Sequence, residues 1–168
     1  MIKILFVCHG NICRSPMAEF IMNALVQKQG LESFFEIASA ATSSEEIGNG
    51  IYPPVKQILL ECGIHAEQKR ATRISEKDFD YYDYIIVMDY NNLRNLKRQF
   101  PSVFYSENPS ERRKQKISLL LDWTDTPGEI ADPWYTGEFL TTKNDILKGT
   151  KALLDTLKNK FQLSSDQK

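Results

Sequence analysis

Cys8-His9-Gly10-Asn11-Ile12-Cys13-Arg14-Ser15 sets a thiol, an arginine and a hydroxyl in the pattern C-x5-R-S, between an apolar run and a helical one. Each part suits the handling of a phosphoryl group. A helix N-terminus leaves backbone N–H groups unpaired and carries partial positive charge, so it attracts anions. Gly10 and Asn11 tolerate the positive φ angles that wrap a loop around an anion. Arg14 offers a planar fork for two phosphoryl oxygens. The same donors favour the thiolate of Cys8, the nucleophilic form of a cysteine. Ser15 is near enough in sequence to hydrogen-bond that thiolate and steady it as a leaving group. Attack on a phosphate ester also needs an acid for the departing oxygen. Asp132, in Asp132-Pro133-Trp134-Tyr135, is the candidate. Pro133 stiffens the turn, and Trp134 and Tyr135 can wall a slot for an aromatic ring.

Other readings of the loop fail on spacing. It lacks the G-x4-G-K-[ST] and G-x-G-x-x-G patterns of nucleotide sites. Cys8, His9 and Cys13 have no second cluster to complete four zinc ligands, and Cys62 stands alone. Neither a metal nor another cofactor is expected.

The elements that must carry these residues follow from hydropathy and turn signals. Apolar runs at 3–7, 34–40, 84–88 and 117–121 predict strands, with a short candidate at 71–74. Ser15 as N-cap and Pro16 at the first helical position predict a helix with Met17, Phe20, Ile21, Ala24 and Leu25 on one face, ended by Gly30. Further helices are predicted from Pro53-Pro54 to about Cys62, from a capping-box-like Ser75–Asp78, over 91–98, and over 141–161 with Ile146, Leu153, Leu157 and Phe161 aligned. The polar stretches 42–52, 99–116 and 124–132 read as loops. The basic run Arg112-Arg113-Lys114, with Lys116, reads as solvated surface. Apolar strands alternating with helices predict a single-domain, three-layer, doubly wound α/β fold. Its central, mostly parallel sheet would have about four strands and helices on both faces. Ligands of such folds bind beyond the carboxyl ends of the strands, where the Cys8 loop lies. The domain is expected over 1–161, with a polar tail at 162–168.

Composition narrows the function classes. The 168 residues are 42% apolar and 26% charged, with Lys plus Arg at 21 against Asp plus Glu at 22. A net charge of -1 speaks against non-specific nucleic-acid binding. No apolar run approaches a membrane span of about 18 residues, and the first is too short for a signal peptide. A cytoplasmic protein with free or reactive cysteines is expected.

These residues together resemble the low-molecular-weight protein tyrosine phosphatases. The resemblance spans nearly the whole chain. It rests on Val7-Cys8-x5-Arg14-Ser15-Pro16-Met17-Ala18-Glu19, Ser39-Ala40-Ala41-Thr42, Asp83-Tyr84-Ile85-Ile86-Val87-Met88-Asp89 with Asn92-Leu93, and Asp132-Pro133-Trp134. It implies a two-step, metal-independent reaction through a phosphocysteine on Cys8. Asp132 acts as acid and then as base, and Arg14 binds phosphate with the loop from His9 through Cys13 and with Ser15, while Trp134 and Tyr135 hold the ring of the substrate. It implies that Asn11 holds the loop shape, that Ser39 supports Asn11, that Ser15 aids departure of Cys8, and that His9 sits on the loop rim. Phosphotyrosine-bearing proteins are the implied partners of a monomer. Cys13 is implied as a redox partner that protects the nucleophile.

Two departures from the family pattern stand out. The histidine that supports the loop in many members has its nearest match in Lys69-Arg70-Ala71. The second aromatic wall is absent from Ser43-Ser44-Glu45-Glu46, which leaves Glu45 or Tyr52 to shape that side of the slot. Three rivals compete. An arsenate reductase of the same fold needs two further cysteines for its relay, and none follows Cys62. Phosphoarginine phosphatases of the family typically carry Thr where this chain has Ile12. A binding-only module needs neither a nucleophile nor an acid.

Overall fold

The computed structural model describes residues 1–108 and 113–164. Arg112 of the basic run and residues 165–168 of the tail lie outside them. In chain order the main elements are β1 (Ile2–Cys8), α1 (Arg14–Lys28), β2 (Phe35–Ala41), α2 (Pro53–Glu61), α3 (Asp78–Tyr81) and β3 (Tyr84–Val87). There follow α4 (Tyr90–Gln99), α5 (Pro101–Tyr105), β4 (Ile117–Leu119), α6 (Pro133–Thr136) and α7 (Phe139–Phe161).

The four strands form one parallel sheet in the order β2-β1-β3-β4. Alternation along β1 divides the core into two layers. Ile4, Phe6 and Cys8 face a cluster with Met17, Ile21, Leu59, Leu153 and Leu157, contributed by α1, α2 and α7. Leu5 and Val7 face the opposite cluster with Phe79, Leu96 and Val103, from α3, α4 and α5. Both faces are covered, which is why the strands read as continuous apolar runs. α7 lies so close to the segment after β4 that a Cβ on Gly149 would stand 2.5 Å from Leu120 Cγ.

Several local expectations change. Ser15 is not the cap of α1: the helix begins at Arg14, and Ser15 is fully buried within the first turn with its hydroxyl turned to Cys8. The 71–74 strand is a single bridge between Ala41 and Arg73. Ser75 does not cap α3, because the bonds run the other way: its N–H and hydroxyl donate to the Asp78 carboxylate. The 99–116 stretch contains α5, started by Pro101, which buries Val103 and Phe104. Phe161 leaves the apolar stripe of α7 and is exposed. Arg113 is not free surface, since its guanidinium engages Asp80 at 2.8 Å and Glu76 at 3.2 Å. No helix among the described residues is long and apolar enough to cross a membrane.

Candidate active site

β1 lies between β2 and β3, and the chain reverses its winding direction there. Cys8 is the last residue of β1, so its thiol stands at the crevice that this reversal opens. The chain then turns back through 9–13 into α1. Asn11 makes the turn with φ at 56°, a conformation that its short polar side chain tolerates. Gly10 does not adopt a positive φ, contrary to expectation. Its small size matters instead, since a Cβ there would come within 3.3 Å of Glu46 Cγ.

The sulfur is ringed by donors. Ser15 Oγ lies 3.0 Å from Cys8 Sγ, and the Asn11 N–H donates to Sγ at 3.3 Å. Asn11 Nδ2 donates to Ser15 Oγ and to Ser39 Oγ, each at 2.8 Å, while its Oδ1 accepts from the Thr72 N–H at 3.1 Å. Ser15 Oγ thus accepts from Asn11, while its hydroxyl faces Cys8 Sγ at 3.0 Å and the Ala40 carbonyl at 3.4 Å. Ser39 Oγ in turn donates to Glu19 on α1. Lys69 closes this frame, pairing with Glu19 at 2.8 Å and donating to the Ser39 carbonyl at 3.1 Å. The support missing from the sequence pattern is therefore supplied by a lysine ion pair. Asn11 and Ser15, grouped with substrate-binding residues on sequence, do not line the cavity, because their side chains are engaged in holding the loop.

Arg14 is 2% exposed and aims its guanidinium at two carboxylates. Nη1 donates to Asp89 Oδ2 at 2.6 Å and to the Ile130 carbonyl at 2.9 Å, and Nη2 to Asp132 Oδ2 at 3.1 Å. Burial works against its charge, yet Cys8, Asp132 and Asp89 hold its pKa above the ordinary arginine value. Asp132 caps α6 by accepting the Trp134 N–H at 3.1 Å, which leaves its second oxygen on the cavity side with Arg14. Burial, then the neighbouring Cys8 and Asp132, push the Cys13 thiol up to about 12. Cys13 therefore stays protonated near neutral pH.

Cys8, Cys13 and Arg14 form the floor of the cavity, with His9, Gly10, Ile12 and Asp132 above them. Its mouth is lined by the exposed rings of Trp134 and Tyr135 and by Glu45 and Glu46. Tyr52 does not line it. The Tyr52 ring packs behind Trp134 at 4.9 Å and against Phe139 at 5.8 Å, so it braces the aromatic wall. His9 Nε2 meets Glu45 Oε2 at 3.0 Å on the rim. Among the described residues no cluster of His, Cys, Asp and Glu is arranged to hold a metal.

Three site groups escaped sequence reasoning. Asp89 orients Arg14 and also caps α4 through the Asn92 N–H at 2.7 Å. Its signal was an acidic residue ending the strand next to β1, followed by an asparagine at capping distance. Glu19 stood in the motif of the resemblance and Lys69 at the match to the loop-supporting histidine, but their pairing carried no local signal, because they meet only through the fold.

A family model described as low molecular weight phosphotyrosine protein phosphatase matches residues 3–163. The low molecular weight protein-tyrosine-phosphatase YfkJ of Bacillus subtilis is 38% identical over 165 residues, 97% of this chain and all of the relative. Its crystal structure superposes with a TM-score of 0.85, covering 95% of this chain and 96% of that one at 36% identity. The Streptococcus pyogenes low molecular weight protein tyrosine phosphatase gives 0.78 at 37% identity, with 94% and 93% covered. A Drosophila arginine phosphatase gives 0.80 at 32% identity, with 94% and 98% covered.

Proposed function

The chain belongs to the low molecular weight phosphotyrosine protein phosphatase family, and on that premise we propose that it hydrolyses phosphotyrosine in proteins through a phosphocysteine on Cys8. The observation that carries this is the convergence on one cavity of the Cys8 sulfur, the buried Arg14 and the Asp132 carboxylate, with an aromatic wall above them. The phosphoryl group of the substrate takes up the Arg14 fork and frees the Asp132 oxygen that Arg14 holds without it. Cys8 attacks phosphorus as the ester bond to the tyrosyl oxygen breaks, and Asp132 gives that oxygen its proton. Water then attacks the phosphocysteine while Asp132 takes its proton back. Phosphate leaves, and the Ser15 hydroxyl stabilises the departing thiolate. Every step is carried by side chains and needs no metal.

Ile12 on the cavity wall favours a phenyl ester over a phosphoguanidinium, which would call for a polar group there. The free Cys8 and Cys13 thiols suit an enzyme working in the reducing cytoplasm. Under peroxide, the Cys8 thiolate would be oxidised to the sulfenic acid with reduction of the peroxide. The Cys13 sulfur would then displace water to form a disulfide. Cys13→Ser is expected to keep basal turnover but to lose recovery by dithiol after oxidation. Equal recovery would refute that role.

The test is turnover of phosphotyrosine, phosphoserine and phosphoarginine peptides in the presence of a chelator. Selective release of phosphate from phosphotyrosine is expected. Faster release from phosphoarginine, or dependence on an added metal, would overturn the reading.

A further inference from the structure

Beyond the slot, we infer that one face of α4 recognises an acidic side chain on the phosphoprotein, about two to four residues from its phosphotyrosine. The inference rests on the phosphatase reading and selects among its substrates. Asn91, Arg94, Asn95 and Arg98 fall at i, i+3, i+4 and i+7 and therefore share one face of α4. The helix starts at the site itself, since its cap, Asp89, is the carboxylate that holds Arg14. A cavity bounded by His9, Arg14, Tyr135, Asn91, Asn95 and the Asp89 and Asp132 carboxylates that Arg14 pairs adjoins the catalytic one. It shares Asn91 and Asn95 with an open cleft walled by Arg94, Arg98 and Tyr105. A continuous trough therefore leads from the catalytic floor along α4.

The charges in that trough are available to a ligand. The Arg94 guanidinium donates to Asn91 Oδ1, and that of Arg98 to Asn95 Oδ1 at 3.0 Å. These partners are neutral amides, and neither arginine forms a salt bridge with a carboxylate of the described residues. Arg113, paired with Glu76 and Asp80, is the contrast elsewhere on the surface. Glu45 and Glu46 line the catalytic cavity but neither part of the trough along α4. An acidic chain is repelled by those two carboxylates and drawn to Arg94 and Arg98. From Asn91 to Arg98 the helix rises about 10 Å, at 1.5 Å per residue. An extended peptide covers that span in about three residues.

The experiment compares kcat/KM for phosphotyrosine peptides carrying Glu or Gln two to four positions before or after the phosphotyrosine, with p-nitrophenyl phosphate as control. The wild-type chain is expected to prefer a Glu peptide by about 3–10-fold at low salt, a preference that fades as ionic strength rises. In Arg94→Ala/Arg98→Ala that preference should vanish while p-nitrophenyl phosphate turnover stays unchanged. Both sites are exposed helix positions where alanine is well tolerated. Arg94→Glu/Arg98→Glu should reverse the preference towards Lys-bearing peptides. Equal turnover of Glu and Gln peptides by the wild type, or a Glu preference that survives in both variants, overturns this inference alone. Failure to hydrolyse any phosphotyrosine peptide overturns the phosphatase reading and this one with it.

Discussion

The floor and the mouth of the cavity are built on opposite terms. In and beneath the floor, Arg14, Asn11, Ser15 and Ser39 are each 2% exposed or less, and their side chains are tied to further side chains or the backbone. At the mouth Trp134 is 53% exposed and Tyr135 82%, and the His9–Glu45 pair stands in solvent. Buried polar groups in a connected network fix a single geometry, because each lost bond leaves an uncompensated neighbour. Exposed rings and screened charges impose little geometry and contribute through contact with whatever arrives. The difference assigns chemistry to the floor and choice of substrate to the mouth.

Three substitutions sharpen that division, from the largest effect to the smallest. Asp132→Asn should slow phosphotyrosine hydrolysis by about 10²–10⁴-fold, the usual worth of a positioned acid. The loss should be smaller for p-nitrophenyl phosphate, whose leaving group needs less protonation. Steady-state rates on both substrates check this, and an equal loss on the two would remove Asp132 from the acid's role. Asn11→Ala deletes the bonds to Ser15, Ser39 and the Thr72 N–H and places alanine at a positive φ. It should lower kcat by up to about 10²-fold through misplacement of the sulfur. It should also cost about 1–3 kcal/mol of stability in urea unfolding. A stable, fully active Asn11→Ala would mean that the floor network is dispensable.

Trp134→Ala acts at the mouth and removes the packing with Tyr52. An aromatic contact contributes about 0.5–1.5 kcal/mol, so KM for phosphotyrosine should rise by about 2–12-fold. Inhibition by inorganic phosphate, which needs only the floor, should not change. A loss of phosphate inhibition in this variant would break the separation of floor from mouth.

The parts of the site legible in the sequence are those that are contiguous. Residues 8–15 lie between a strand and a helix, and their types and spacing alone point to anion binding and a nucleophile. Asp132 was found through the turn residues beside it. The partners that hold these groups were not legible: Arg14 meets Asp89, and Lys69 meets Glu19, only because β1 and β3 pair and the segment after residue 66 crosses the end of β2. Ser15 misled because a serine before a proline reads as a cap, whereas the site turns its hydroxyl to the sulfur. α5 escaped because five residues with two buried side chains are too few to show a helical period. The sheet itself was legible, since its strands are short apolar runs between turn signals and both its faces are covered, although β4 stops at Leu119 short of the predicted 121.

The claim that Cys8 carries the phosphoryl group can be tested by rapid quench of the Asp132→Asn enzyme during turnover of p-nitrophenyl phosphate, whose leaving group departs without an acid, followed by peptide mapping. Slowed hydrolysis of the intermediate should let it accumulate. The expected result is a phosphoryl group on Cys8 and none in Cys8→Ala/Asp132→Asn. A phosphoryl group on His9, or burst release of phosphate with no labelled residue, would contradict it.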